Sequence, residues 1–508
     1  MTHPKGLYLL FLTEMWERFS YYGMRALFML YLVKAILYTD AEASNIYGSF
    51  TGLVYLTPLL GGYISDRYWG NRRSIILGGI LMAIGQFLLF FSASILGSSH
   101  CIHLLFVGLF FLCVGNGFFK PNISTMVAQL YPEKDPRIDS AFTIFYMGIN
   151  VGAFFSPLVC GSLGDTGNPA DFRWGFFAAG VGMLVGVLTF VLFKNRYLVT
   201  PEGKTVGGVP ERTALNDGKD ASSTSKRSVG RVVAIAAMAY VALCIVFVKV
   251  LGQDVIGALI FSACFVVPAY IISEPSLTAK ERRKIFVIYI LAFFVVFFWA
   301  AYEQAGASIT LFTEYDVDRT IGGKVVSTSY FQALNPIYIV IFAPIVSVVW
   351  TWLEKKGIHF SICQKQALGI LLLTASFCIL AYATSNQQPG IGVSMLWVVF
   401  FYSIYTLGEL CLSPIGLSMV AKLSPARFVS LLMGVWFMSS AAAQKLCGTL
   451  SALYPSVDKA TGLVRETDFL GYHIGNTHDF FILFVGFTLV AAIGLFALCR
   501  KLDKMMAD

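Results

Sequence analysis

Six polar side chains able to pair ions and to bind or release protons fall within one short stretch near the N-terminus: Glu14, Glu17, Arg18, Tyr21, Tyr22 and Arg25. At 100° per residue all six lie inside an arc of about 140° on one helical face. That face carries two carboxylates, two guanidiniums and two phenols, and the residues around it are apolar. Lipid does not tolerate such a face, so it lines a wet cavity or packs on another helix. A purely structural ion-pair network that locks helices together is the plainer alternative. Other charges also sit deep in apolar stretches: Lys120, Lys445, Glu303 and Glu409. Lys34 and Lys249 lie near span ends and are expected to snorkel, and Lys445 to snorkel or pair locally.

The elements that position these groups follow from composition. The 508 residues are 57% hydrophobic and 15% aromatic but only 13% charged, about half the charge of a soluble domain. Mean hydropathy is +0.71. No soluble core hides that much apolar surface, and disorder is excluded for the same reason. Apolar stretches of span length recur along the chain, which reads as an all-α polytopic membrane protein and not an outer-membrane barrel. Fourteen helices are expected, near 6–36, 45–65, 74–96, 101–130, 139–163, 172–194, 231–250, 254–273, 283–313, 329–354, 362–384, 391–418, 428–453 and 478–500. The first carries charges in its middle and has no small-residue cleavage site, so it reads as a span, not a signal peptide. The net charge of +8 does not point to nucleic acid, because the Lys and Arg residues sit in short loops between spans. Seven of the ten cysteines (Cys113, Cys160, Cys244, Cys264, Cys378, Cys411 and Cys447) lie inside apolar runs and read as buried small hydrophobes, with no disulfide framework or metal site indicated.

With the N-terminus placed in the cytoplasm, 26 Lys and Arg fall in cytoplasmic segments against 5 on the opposite side, so both termini are expected to be cytoplasmic. The polar, basic stretch 195–229 reads as a cytoplasmic linker after a six-helix half, 1–194. A hairpin at 230–273 carries almost no intramembrane charge and looks inserted, with no part in a site. A second six-helix bundle occupies 274–508. This 6+2+6 plan suggests two pseudo-symmetric bundles that rock around a central site.

The first helix matches, at every fixed position, the E-x-x-E-R-F-x-Y-Y-G signature of the proton-dependent oligopeptide transporters, a branch of the major facilitator superfamily. Further stretches resemble the same family in order. They are Gly61-Gly-Tyr-Ile-Ser-Asp66-Arg67-Tyr-Trp-Gly70-Asn-Arg72-Arg73, Gly115-Asn-Gly-Phe-Phe-Lys120-Pro121-Asn122, Phe145-Tyr146-Met-Gly-Ile-Asn150-Val-Gly152-Ala, Phe331-Gln-Ala-Leu-Asn335-Pro336 and Gly408-Glu409-Leu-Cys-Leu-Ser413-Pro414. The additional helix pair resembles prokaryotic members, and the resemblance implies a bacterial inner membrane as the expected location.

The resemblance implies proton-coupled import of di- and tripeptides by alternating access. A zwitterionic peptide needs cations for its carboxylate and an anion for its amine. By resemblance, Arg18, Arg25 and Lys120 form the carboxylate end, Glu409 meets the amine, Asn150 and Asn335 hydrogen-bond the peptide backbone, and Tyr21, Tyr22, Tyr55 and Trp436 shape permissive side-chain pockets. For Asn150 helix glue, for Tyr55 ordinary packing and for Trp436 a plain apolar wall are the duller readings. All six histidines sit in loops or at span ends, so the proton is expected on a desolvated carboxylate: Glu14, Glu17 or Glu303. Deprotonated Glu303 is expected to pair with Arg25 across the bundles, with protonation breaking the pair. Asp66 and Arg67 are expected to act as a gate, while Arg72 and Arg73 equally fit ordinary positive-inside topology. The expected partners are peptides, protons and the bilayer, with no cofactor beyond the coupling proton and a functional monomer. The same fold carrying nitrate, another anion or a modified amino acid is the runner-up, and a receptor or channel a distant third. No zinc-type histidine cluster or nucleophile motif points to an enzyme.

Overall fold

The computed structural model describes residues 3–132, 135–200, 203–209, 226–275, 277–388, 390–412, 416–425, 428–456 and 464–507. Most of the expected linker, together with Ser413 and Pro414, lies outside the described residues. Among the described residues the architecture is helical apart from short two-stranded pairings in loops. The helices are α1 (Lys5–Leu30), α2 (Asp40–Ile64), α3 (Asn71–Ser94), α4 (Ser99–Gln129), α5 (Ile138–Gly164), α6 (Phe172–Tyr197), α7 (Lys226–Lys249), α8 (Val255–Ile272), α9 (Ala279–Tyr302), α10 (Ser308–Tyr315), α11 (Leu334–Lys355), α12 (Ile362–Thr384), α13 (Leu396–Leu412), α14 (Gly416–Leu423), α15 (Val429–Ser451) and α16 (Thr477–Ala507). Among the described residues, ten stretches are long and apolar enough to cross a membrane. Several starts are fixed locally by capping boxes: Thr39 with Glu42, Thr278 with Glu281 and Ser361 with Gln364.

One expected helix proves discontinuous. The span expected at 283–313 stops at Tyr302, turns through a 3-10 segment, Glu303–Gly306, and restarts as α10. The sequence has no proline there, and the weak helix former Gly306 marks the break. Gln304 satisfies backbone groups around it: its Nε2 donates to the Ala300 carbonyl at 3.1 Å and to the Cys447 carbonyl of α15 at 3.0 Å. Irregular backbone at membrane depth survives only when its polar groups are met in this way. Of the span expected near 391–418, the described parts are α13 and α14, on either side of 413–415, which lie outside the described residues.

The chain forms two compact units of interleaved sequence. One comprises Met1–Ala43, Leu56–Lys219 and Ile309–Val340. In it α1 packs on α5 and α6, and α3 on α4 and α6. Glycines bring α3 and α4 together: a Cβ on Gly115 would meet the Gly78 carbonyl oxygen at 2.7 Å, and one on Gly78 the Gly115 carbonyl oxygen at 2.6 Å. Lys34, expected to snorkel, instead donates to Asp165 at 3.2 Å and to Glu314 of α10 at 2.9 Å. Glu314 also accepts from Thr328 at 2.6 Å and pairs with Arg319 at 3.1 Å. A span-end lysine pairs in preference to snorkelling when carboxylates from other elements reach it.

The other unit comprises Ser44–Tyr55, Asp220–Ser308 and Ile341–Asp508. Here α12 packs on α13 and α16, α9 on α15 and α16, and the α7–α8 hairpin leans on α15 through α8. Ile235, Met238, Val241 and Ile245 of α7 are exposed, an apolar face suited to lipid. The hairpin is not charge-silent. Asp254 caps α8 through the Gly257 amide at 2.7 Å, and its Oδ2 accepts from Lys445 at 2.7 Å and Ser49 at 2.8 Å. Lys445, 1% exposed, therefore pairs with a residue far away in sequence. Removing Asp254 strands a buried ammonium. Asp254→Ala is expected to cost about 2 kcal/mol, less than the ~3–5 kcal/mol of a fully buried pair because Asp254 is partly exposed. Thermal melts of purified protein test this, and Asp254→Ala/Lys445→Met is expected to recover most of the loss.

Candidate functional site

The charged face of α1 forms in the first unit as one buried cluster. The Arg18 Nε donates to Glu14 Oε1 at 2.7 Å and lies 3.0 Å from Glu17 Oε2. All three residues are buried, Arg18 at 6% exposure and Glu17 at 0%. The i, i+4 spacing of Glu14 and Arg18 brings that pair together on one helical face. Asn116 of α4 donates to Glu17 Oε1 at 3.1 Å. Lys120, half-buried and just before Pro121 in the same helix, is near enough to Glu17 for its charge to be felt there. Glu14 Oε2 is buried with no hydrogen-bond partner among the described residues. One guanidinium thus serves two carboxylates, which leaves the trio with a net negative charge when both acids are ionised and room for a proton.

One and two turns further along α1, Tyr21 and Tyr22 meet edge-on at 5.5 Å, and the Arg25 guanidinium carbon lies 5.9 Å from the Tyr22 ring centre. This is within the range where a cation is attracted to an aromatic face. Gly152 of α5 admits the α1 backbone at Met15, beside Arg18, which explains why α5 lies alongside the charged stretch. Asn150, on the same helix, is buried and donates to the Tyr146 carbonyl one turn earlier at 2.9 Å. Asn335 is half-buried at the start of α11, directly after a 3-10 turn, Thr328–Ala333.

Asp66 and Arg67 stand apart from this cluster, on the exposed turn after α2, where Arg67 lies over the Tyr63 ring at 5.9 Å. Neighbouring Arg72 has a structural task. Its guanidinium donates to the carbonyls of Lys194, Leu198 and Val206 and to the Asn195 side chain, and so pins the start of the stretch after α6.

In the second unit, Glu409 is 7% exposed on α13, and its Oε2 accepts from the Tyr302 hydroxyl at 2.6 Å. Tyr302 is the last residue of α9. Its ring stacks on Tyr405 at 4.1 Å, and Tyr405 donates to the Tyr302 carbonyl at 2.8 Å. Glu303, 3% exposed, opens the helix break next to this pair. Trp436 is buried on α15 and packs on the Gly416 backbone, and Tyr55 of α2 is half-buried. Asn116, Tyr302 and Tyr405 were not singled out from the sequence. Their signals were present in Gly115-Asn116-Gly117 and Tyr302-Glu303, but a polar residue beside a charge says nothing of which charge it serves until the helices are packed.

Comparison with known proteins identifies the family of the chain. The family model described as "POT family" matches residues 72–466. A peptide transporter of Yersinia enterocolitica, YePEPT, is 36% identical over 466 residues, 88% of this chain and 87% of its own. The uncharacterized transporter YclF of Bacillus subtilis is 34% identical over 466 residues, 90% of this chain and 89% of its own. Among solved structures, a peptide transporter POT in complex with sulfate is 31% identical with a TM-score of 0.79, covering 99% of this chain and 96% of that one. A POT family transporter in complex with 5-aminolevulinic acid is 28% identical with a TM-score of 0.77, covering 98% and 97%. The chain belongs to the POT family: it is a multi-pass membrane transporter of the major facilitator fold, and not an enzyme.

Proposed function

We propose that this protein is a proton-coupled symporter that imports di- and tripeptides by alternating access. The observation that carries the reading is the pair of buried, supported charge centres: Arg18 held between Glu14 and Glu17 with Lys120 close by, and Glu409 held by Tyr302. Buried charges in a membrane protein are costly and are kept for ions or charged ligands. The peptide carboxylate goes to Arg18, Arg25 and Lys120, and its ammonium to Glu409. Asn150 and Asn335 take the peptide backbone, and Tyr21, Tyr22, Tyr55 and Trp436 bound pockets that tolerate varied side chains. The similar chains bearing the names peptide transporter and dipeptide and tripeptide permease support peptides as cargo.

The proton is carried by Glu14, Glu17 and Glu303. Deprotonated Glu303 pairs with Arg25; protonation from outside breaks the pair and favours the peptide-accepting state, and release to the cytoplasm restores it. Protonation shifts the equilibrium because it changes the interaction in only one of the states. Asp66 and Arg67 act at the cytoplasmic gate. The domain plan is 1–194, 195–229, 230–273 and 274–508, with both termini in the cytoplasm of a bacterial inner membrane, and the monomer is the working unit with no cofactor.

A small amine-bearing carboxylate is the second reading, favoured by the related structure in complex with 5-aminolevulinic acid. Such a ligand presents the same two charges at the spacing of a dipeptide, with a methylene in place of the peptide N–H and no side chains to accommodate. Dialanine is expected to raise the melting temperature of purified protein and to accumulate in proteoliposomes, with collapse when the proton gradient is dissipated. Stabilisation by 5-aminolevulinic acid alone selects the second reading, and stabilisation by nitrate alone overturns both.

A further inference from the structure

Glu409 is supported from one direction in particular. The Tyr302 hydroxyl reaches its Oε2 at 2.6 Å, a length typical of a charge-assisted hydrogen bond. Both residues are buried, Tyr302 at 8% and Glu409 at 7% exposure. The tyrosine is itself held at two points. Its ring stacks nearly parallel on Tyr405, 4.1 Å away at 12°, and its carbonyl accepts from the Tyr405 hydroxyl at 2.8 Å. Tyr405 lies one helical turn before Glu409 on α13, so one helix supplies both the carboxylate and the brace of its donor. Phe298, one turn earlier on α9, lies nearly parallel to the Tyr302 ring at 5.5 Å and 20°. A phenol packed against two rings, on a backbone whose carbonyl is itself hydrogen-bonded, has its rotamers restricted, and the carboxylate it meets is restricted with it.

Tyr302 also closes α9, immediately before the break that begins with Glu303. Gln304, the next residue, fixes that break to α15. A change in the backbone at Glu303 therefore acts on the donor to Glu409 through a single peptide link.

From this geometry we infer that Tyr302 is a positioning residue for ligand recognition: it orients the Glu409 carboxylate toward a ligand's ammonium group and ties that orientation to the helix break bearing Glu303. The inference rests on the proposed role of Glu409 in meeting a peptide amine. Binding energy gained from a preset carboxylate is not spent on ordering it after the ligand arrives.

Tyr302→Phe removes the hydroxyl and keeps the stacked ring. With this hydrogen bond to a charged group removed, the half-saturating concentration of dialanine in counterflow is expected to rise about tenfold, with the maximal exchange rate within about twofold of wild type. The second measurement is a double-mutant cycle with Glu409→Gln. Tyr302→Phe is expected to add little in the Glu409→Gln background, because the oriented group is already gone. An equal loss in both backgrounds, or a lowered maximal rate at unchanged half-saturation, overturns the inference, since either places the effect of Tyr302 elsewhere. Tyr405→Phe, which keeps the hydroxyl on Tyr302, serves as the check on folding and is expected to lie between the two. Failure of the underlying reading looks different: wild-type protein then shows no dialanine exchange, or Glu409→Gln leaves half-saturation unchanged.

Discussion

Glu303→Gln is expected to abolish proton-driven accumulation of dialanine while leaving counterflow exchange nearly intact. The variant keeps the shape of the side chain and its hydrogen-bonding capacity but cannot change charge. Counterflow needs only the two loaded states to interconvert, whereas accumulation needs the proton to make one unloaded state less favourable. Each pH unit across the membrane supplies about 1.4 kcal/mol per proton, a tenfold factor in the concentration ratio. Wild-type proteoliposomes under a one-unit gradient are therefore expected to concentrate dialanine about tenfold for each coupled proton, and Glu303→Gln to equilibrate it without concentrating it. Undiminished accumulation by the variant would remove Glu303 from the coupling role and leave Glu14 and Glu17 to carry it. Glu303 is 3% exposed and opens the 3-10 break after α9, so a change in its charge falls on a buried group at an irregular stretch of backbone.

The second large effect is expected at Arg18. Its guanidinium pairs with both Glu14 and Glu17, and all three are buried. Arg18→Met leaves two carboxylates facing each other without it. Removal of one member of a buried charge cluster costs about 3–5 kcal/mol, most of it the penalty of stranding the others. The melting temperature is expected to fall sharply and dialanine uptake to be lost. Loss of uptake alone would not separate a binding role from misfolding. The triple variant Glu14→Gln/Glu17→Gln/Arg18→Met resolves this. It removes the stranded charge, and stability is expected to return while uptake stays absent. If the triple variant transports, the cluster is helix glue and the plainer reading of the α1 face is correct. If Arg18→Met melts like wild type, the acids are protonated at rest and the pairing in the cluster contributes little.

Much of this protein is legible in its amino-acid order because the membrane simplifies the problem. Every backbone polar group in lipid must be satisfied within the chain, so length and hydropathy alone delimit the spans. The positions of Arg18 and Glu14 on one face follow from helix geometry, which needs no knowledge of neighbours. The resemblance to the family is carried by residues within single helices, such as the run from Glu14 to Gly23. In each case the information is local and the medium allows little choice.

Tertiary structure alone decided which charges meet. Lys445 and Asp254 are separated by 191 residues, and nothing in either span marks the other as its partner. Lys34 pairs with Asp165 and Glu314 for the same non-local reason. The interruption at Glu303 is visible in sequence only as a glycine, because the cost of breaking a helix depends on whether Gln304 finds a carbonyl on α15. Tyr302 reads as one more aromatic in an aromatic-rich span until α13 brings Glu409 within 2.6 Å. Spans are set by the free energy of transferring single residues into lipid, a property of sequence. Partnerships among buried polar groups are set by distance and angle across helices, and those exist only once the helices have packed.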